Sequence, residues 1–186
     1  MATIEDGKGK NGKASVSSVQ RLNVSSKTGL RHFYASRDFG LAYNAVYDNI
    51  TSAAGEYTAY LKNTSTTRNL FVSQIEFHSA ENVKWKIWSV SGTAAAGEVV
   101  TASEMNLSKN IPAEASCMAG DTAITGLTTI SQIGSHRSQA NGDSGMNFGG
   151  SLILGPSDAI AIEYDAGTGG LCSHDLFFWF EDIGAS

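Results

Sequence analysis

Three consecutive runs of alternating residues between positions 55 and 90 restrict what this chain can fold into. The third run is the clearest, because Val83, Trp85 and Ile87 alternate with two lysines. Clusters of Asn, Ser and Thr separate the three runs from one another. A period of two, bounded by turn residues, is typical of antiparallel strands with one apolar and one polar face. The apolar face of such a meander has to be covered by a second sheet.

The second run predicts which side chains share a face. Successive side chains on a regular strand point to opposite sides. The side chains of Phe71, Ser73, Ile75 and Phe77 are therefore expected to lie on one face, and the polar side chains that alternate with them, as far as His78, on the other. We therefore predict that Phe71 and Phe77 lie on the same side of this strand.

The last third of the chain repeats the strand signal. A run at residues 151–154 ends in a Gly-Pro-Ser-Asp turn, and residues 159–164 follow, with Ile160, Ile162 and Tyr164 on one face. Together with the other strand-like runs, this predicts about eight to ten strands and no amphipathic helix. We therefore predict an all-β fold, in which two antiparallel sheets form a β-sandwich with the topology of a jelly roll.

The composition fits one such domain and excludes some classes of function. The chain has 186 residues, of which only 17% are charged, and its net charge is -5. An acidic chain argues against nucleic-acid binding, for which a basic surface is expected. No apolar run approaches the roughly 18 residues of a membrane span, and residues 1–6 lack the order of a secretion signal. We therefore expect no nucleic-acid or membrane partner, a cytoplasmic site of synthesis, and free thiols at Cys117 and Cys172.

The first 14 residues have a composition of their own. Lys8, Lys10 and Lys13 are spaced by glycine and asparagine in a stretch without apolar side chains, which cannot contribute to a core. Such a segment is either disordered or an extended arm laid on a neighbouring molecule. We divide the chain into a basic arm, residues 1–14, and a single β-sandwich domain, residues 15–186, and we predict that the three lysines make protein contacts.

Two long segments between strands are predicted to be loops that contact other proteins. They cover residues 103–121, through which apolar residues are scattered without a period, and residues 138–150, which are rich in glycine. Loops of this length in a compact domain are usually functional. The candidate contact residues in them are Met105, Leu107, Ile111, Met146 and Phe148.

The sequence gives little indication of catalysis. Residues 142–145 read Gly-Asp-Ser-Gly, as around the nucleophile of trypsin-like serine proteases, but that chemistry also needs a positioned histidine and aspartate. None of His32, His78 and His136 lies in the Ala-Ala-His-Cys context of that family, and Met146 stands where the family has glycine. The histidines and carboxylates show no metal-ligand spacing. We therefore predict no catalytic residue, no metal and no cofactor.

Two tryptophans on one strand suggest a contact surface. Trp85 and Trp88 are three residues apart and therefore point to opposite faces. One of them is predicted to lie in the core. The other is a candidate for contact, and Trp88 would serve either in subunit packing or as a platform for a sugar ring.

Four segments of the chain resemble parts of small virion proteins of tailed bacteriophages. They are residues 60–65 (YLKNTS), 88–93 (WSVSGT), 123–128 (AITGLT) and 153–161 (ILGPSDAIA). The resemblance extends over about residues 16–182, and the proteins it points to look like capsid decoration, or cement, proteins with a jelly-roll body. These segments are turns and strands, so the resemblance brings no catalytic residue with it.

The resemblance implies a non-enzymatic structural role. We expect a homotrimer that binds the major capsid protein on the outside of the assembled head, in a virion assembled in the cytoplasm of a host bacterium. The alternative is a tail or baseplate β-sandwich protein that binds a receptor glycan.

Overall fold

The computed structural model describes residues 3–5, 13–16, 22–23, 35–120 and 123–183 of the chain. The chain divides into two compact units, Met1–Leu30 and Arg31–Ser186. In the first unit, short antiparallel strands form a three-stranded sheet in the order β1-β2-β3, with bounds Thr3–Glu5 (β1), Lys13–Val16 (β2) and Leu22–Asn23 (β3).

The second unit is built almost entirely from strands. One π-helical turn, Ala35–Phe39, precedes them. The strands are Ala42–Ser52 (β4), Glu56–Asn63 (β5), Arg68–Ser79 (β6), Val83–Ala95 (β7), Glu98–Val100 (β8), Ser103–Glu104 (β9), Ala115–Ala119 (β10), Thr125–Ser138 (β11), Gly142–Leu154 (β12), Ala159–Asp165 (β13) and Gly170–Asp182 (β14).

The strand order is that of a jelly roll. One sheet has the order β11-β7-β13-β5-β10-β8 and the other has the order β12-β6-β14-β4-β9. Neighbouring strands in both sheets are antiparallel. Eight of these strands, β11-β7-β13-β5 and β12-β6-β14-β4, alternate between the sheets as two interleaved Greek keys do. The predicted all-β sandwich with jelly-roll topology is therefore confirmed.

The core lies between the two sheets and follows the predicted alternation where the strands are regular. Trp85 and Ile87 on β7 are buried, and so are Ile160, Ile162 and Tyr164 on β13. They pack in one cluster with residues of the facing sheet, including Ile50, Ile75 and Phe178. Burial of side chains of this size stabilises the fold by about 1.5–3 kcal/mol each.

A bulge in β6 overturns the prediction that Phe71 and Phe77 share a face. Both neighbouring strands pair with Val72 and then with Gln74, so Ser73 is an extra residue. The extra residue reverses the alternation: Leu70 and Val72 face the core before it, and Ile75 and Phe77 face the core after it. Phe71 instead lies on the other side of the sheet, stacked on Trp179 with ring centroids 5.3 Å apart.

The structure also corrects both predicted loops. Residues 142–154 form strand β12, at the edge of the five-stranded sheet, so the loop prediction for 138–150 was wrong except at its first residues. Within residues 103–121, strand β10 pairs with β5 and places Cys117 in the core. Both strands are rich in glycine or in small residues, and such residues give no clear alternation of size and polarity.

The two cysteines are free, as predicted, and both are buried. Burial raises the pKa of Cys117 to about 11 and that of Cys172 to about 12. Both side chains therefore remain neutral thiols at physiological pH.

Candidate protein-contact surface

The loop that joins β9 to β10 carries the most exposed leucine of the described residues. Leu107 is 89% exposed, and Met105 and Ile111 in the same loop are also exposed. Val99 on the adjoining edge strand β8 is 77% exposed. These residues form what we call the loop edge of the sandwich: Val99, Met105, Leu107 and Ile111. Three of them were candidates from the sequence, and the structure brings them to one side of the domain.

The beginning of this loop is fastened to β4 and to the π-helical turn. The backbone N–H of Met105 donates to the carbonyl of Ala42 at 2.9 Å. The side-chain amide of Asn106 donates to the carbonyl of Ser36 at 2.9 Å. The turn closes when the N–H of Lys109 donates to the carbonyl of Asn106 at 3.0 Å. These bonds hold Leu107 outward on a fixed backbone, so little order has to be gained on binding.

The end of the loop is held by a buried tyrosine and by an ion pair. The hydroxyl of Tyr43 lies 3.4 Å from the carbonyl oxygen of Pro112 and 3.1 Å from that of Gly40. Burial, with a smaller contribution from the nearby Glu104, raises the pKa of Tyr43 to about 12, so the hydroxyl remains a donor. Glu114 forms an ion pair with Arg68 at 3.3 Å. The loop is therefore anchored at both ends.

A second apolar surface lies on β11, at the opposite edge of the sandwich. Ile130 is 65% exposed and Ile133 is also exposed. Strand β11 pairs with β7, and Thr129 and Ser131 pair with two consecutive residues of β7 although they are two positions apart. The same holds for Gln132 and Gly134. Ile130 and Ile133 are therefore the extra residues of two bulges. We call this surface the strand edge.

The strand order places these two edges on opposite sides of the domain. β11 is the first strand of its sheet and β8 is the last, while β9 ends the other sheet. Ile130 and Ile133 are exposed, but they were not among the contact candidates taken from the sequence. The residues around them, Thr128 to Gln132, are otherwise polar. Isoleucines in such a polar strand were the sequence feature that could have pointed to an exposed apolar surface.

The remaining contact candidates lie elsewhere. Met146 and Phe148 on β12 are partly buried and pack against the core. Lys8 and Lys10 lie outside the described residues. Lys13 begins β2, where only its backbone is described.

Trp85 and Trp88 lie on opposite faces of β7, which confirms that prediction. Trp85 is fully buried, and its indole N–H donates to the hydroxyl of Ser138 at 2.8 Å. Trp88 is partly buried on the outer face of the six-stranded sheet, where its N–H donates to Glu163 Oε2 at 2.6 Å. Lys86 Nζ lies 2.8 Å from Glu163 and 3.0 Å from Asp165, so both carboxylates share this ammonium group.

The Gly-Asp-Ser-Gly motif lies in β12, and the sheet separates its components. Asp143 Oδ1 lies 2.9 Å from His78 Nδ1 on the outer face, where both side chains are exposed. Ser144 is the next residue of the strand, so it points inward, and its buried hydroxyl has no hydrogen-bond partner. Ser144 therefore cannot pass its proton to His78, and these residues do not form a protease triad.

Within the described residues, no group of three or more His, Cys, Asp and Glu side chains is arranged to hold a metal ion. No helix in the same part of the chain is both long enough and apolar enough to cross a membrane.

Comparison with protein-family models and with curated proteins found no match to this sequence.

Proposed function

We propose that this protein is a non-enzymatic structural component of a phage virion, which decorates and stabilises the assembled head. Two findings support the proposal. Four segments of the sequence resemble virion proteins of tailed phages, and the jelly-roll body carries apolar surfaces suited to protein contact. The single observation that carries it is the rigidly held loop edge with Leu107 89% exposed.

The positions of the two apolar surfaces suit a head-to-tail contact between identical subunits. A contact between the loop edge of one copy and the strand edge of the next would cover both surfaces, and such a heterologous contact forms a ring where the rotation between copies closes. A two-fold dimer through the loop edge would leave Ile130 and Ile133 uncovered. Residues 125–138 contain no acidic side chain, whereas residues 98–114 contain three glutamates and one lysine, so the contact brings no acidic side chains face to face. The resemblance supplies the number of copies, which is three.

The mechanism of stabilisation is mass action. A trimer that binds neighbouring major capsid subunits only in the assembled shell lowers the free energy of the shell and not that of free subunits. We assign this contact to the faces left open by ring formation and to residues 1–14.

Mass spectrometry of density-purified phage particles tests the proposal. Particles produced with the intact gene should contain the protein at a copy number comparable to that of the major capsid protein. Particles from a deletion of the gene should lose infectivity faster on heating. Absence of the protein from purified particles would overturn the proposal, and a copy number of only a few trimers per particle would place it on the tail.

A further inference from the structure

A depression lies at the end of the six-stranded sheet, where β7 begins and β11 and β13 end. Its volume is about 440 Å³, and it is lined by residues 82–84, 137–139 and 165–167. None of these residues belongs to the loop edge, and none of them is an isoleucine of the strand edge. The depression is therefore separate from the surfaces proposed for protein contact.

Two cations stand side by side at this depression. Lys84 and Arg137 are direct partners in the register between β7 and β11, and both point away from the core. Within the described residues neither of them forms an ion pair. Asp165 also lines the depression, but its carboxylate lies 3.0 Å from the ammonium group of Lys86. Like charges directly opposite each other on neighbouring strands are unfavourable. Asp165, the partner of Lys84 on β13, offsets part of this repulsion, and an anion bound between Lys84 and Arg137 would relieve the rest.

From this arrangement we infer that the depression binds the carboxylate of an acidic saccharide. The guanidinium group of Arg137 matches a carboxylate with two parallel hydrogen bonds, and Lys84 adds a second charge. The side-chain amides of Asn82 and Gln139, which line the same depression, supply donors and acceptors for sugar hydroxyls.

Trp88 is the reason to favour a saccharide over an acidic peptide. It lies on the same outer face of β7 as Lys84, four residues further along, which is about 13 Å on an extended strand. Its hydrogen bond to Glu163 fixes the ring. Lys86, between the two, is paired with both Glu163 and Asp165, so this group of one ammonium and two carboxylates has a net charge of -1 and the positive charge is confined to Lys84 and Arg137. A chain of a few sugar units would place an acid group on the cations and the apolar face of a ring on the indole.

The test is a calorimetric titration of the full chain with a tetramer of galacturonate. Maltotetraose serves as the neutral saccharide and a tetraglutamate peptide as the acidic non-saccharide. The variants are Lys84→Gln, Arg137→Gln and Trp88→Ala. Lys62→Gln is the matched control, because Lys62 points outward from β5 of the same sheet and does not line the depression.

The wild-type protein should bind galacturonate, and binding should weaken as salt is added. Lys84→Gln and Arg137→Gln should each reduce affinity about tenfold or more, the usual cost of losing a charged hydrogen bond. Trp88→Ala should reduce it between about twofold and tenfold, and Lys62→Gln should leave it unchanged. Absence of galacturonate binding, or equal binding by the Lys84 and Arg137 variants, overturns the inference. Equal binding of tetraglutamate, with no effect of Trp88→Ala, overturns the saccharide and favours an acidic peptide.

Discussion

The imidazole ring of His174 stands edge-on to the indole ring of Trp85, with ring centroids 4.7 Å apart, in the centre of the sandwich. His174 Nε2 lies 2.8 Å from the hydroxyl oxygen of Thr58, and its Nδ1 has no hydrogen-bond partner. Burial lowers the pKa of His174 from 6.5 to about 3. The folded protein therefore keeps this histidine neutral at a pH where the unfolded chain protonates it.

The first prediction is that acid destabilises the protein through His174. The unfolded state binds one more proton than the folded state between pH 6.5 and about 3, so the free energy of unfolding falls as the pH drops through this range. Between pH 7 and pH 4.5 the contribution of His174 is about 2 kcal/mol. Urea unfolding at the two pH values measures it. The loss should be smaller in His174→Gln and unchanged in the control His78→Gln, where the side chain is exposed. An equal loss in wild type and His174→Gln would contradict the prediction.

The second prediction concerns Asn63, which is fully buried and joins two turns. Its amide nitrogen donates to the carbonyls of Arg68 at 2.8 Å and Leu154 at 2.9 Å, and its oxygen accepts the N–H of Ser65 at 2.9 Å. Asn63→Ala removes three hydrogen bonds to backbone groups from a buried position and should lower the free energy of unfolding by about 3 kcal/mol. Asn147→Ala, at an exposed position with one local hydrogen bond, should cost less than about 1 kcal/mol. Chemical denaturation of both variants checks this, and equal costs would show that Asn63 is not a structural junction.

The third prediction concerns Gly120, which follows strand β10. A methyl group at this position would overlap the carbonyl oxygen of Tyr57, which belongs to the backbone of β5 and cannot swing aside. Gly120→Ala should therefore destabilise the fold by about 2 kcal/mol or more. Gly167→Ala is the matched control, because nothing lies within 4 Å of its added methyl group. Thermal unfolding should show a lower midpoint for Gly120→Ala alone.

The fourth prediction tests the proposed ring. Light scattering after gel filtration should give the mass of a trimer for the wild-type protein. Leu107→Asp and Ile130→Asp should each give a monomer. Each change places a charge in the same subunit contact, Leu107 from one copy and Ile130 from the next. Thr168→Asp, an exposed charge in the turn between β13 and β14, should remain trimeric. If Leu107→Asp dissociates the oligomer and Ile130→Asp does not, the subunits do not meet through these two edges.

The sequence predicted those parts of the fold in which side-chain size and polarity alternate strictly. Val83, Trp85 and Ile87 on β7 and Ile160, Ile162 and Tyr164 on β13 were placed correctly, because a period of two in large apolar residues has one interpretation. The prediction failed for Phe71, since a single extra residue at Ser73 reverses the faces and leaves no mark on composition.

The exposed apolar surfaces could be predicted only in part. Met105, Leu107 and Ile111 are exposed, and they were contact candidates because large apolar residues in a long segment without a period have no place in a core. Met146 and Phe148 were assigned to a loop because glycine and polar residues alternate with them, yet this alternation belongs to an edge strand whose inner face they occupy. The isoleucines of β11 were missed because bulges depend on the neighbouring strand, which the sequence of β11 does not contain.

The bulges at Ile130 and Ile133 also bear on how copies of this protein avoid growing into fibrils. A regular terminal strand offers an even row of backbone donors and acceptors on which further strands add without limit. Two extra residues within four positions break the spacing of that row on β11. Molecules that meet at this side are thereby restricted to contacts between side chains, which can end in a finite assembly.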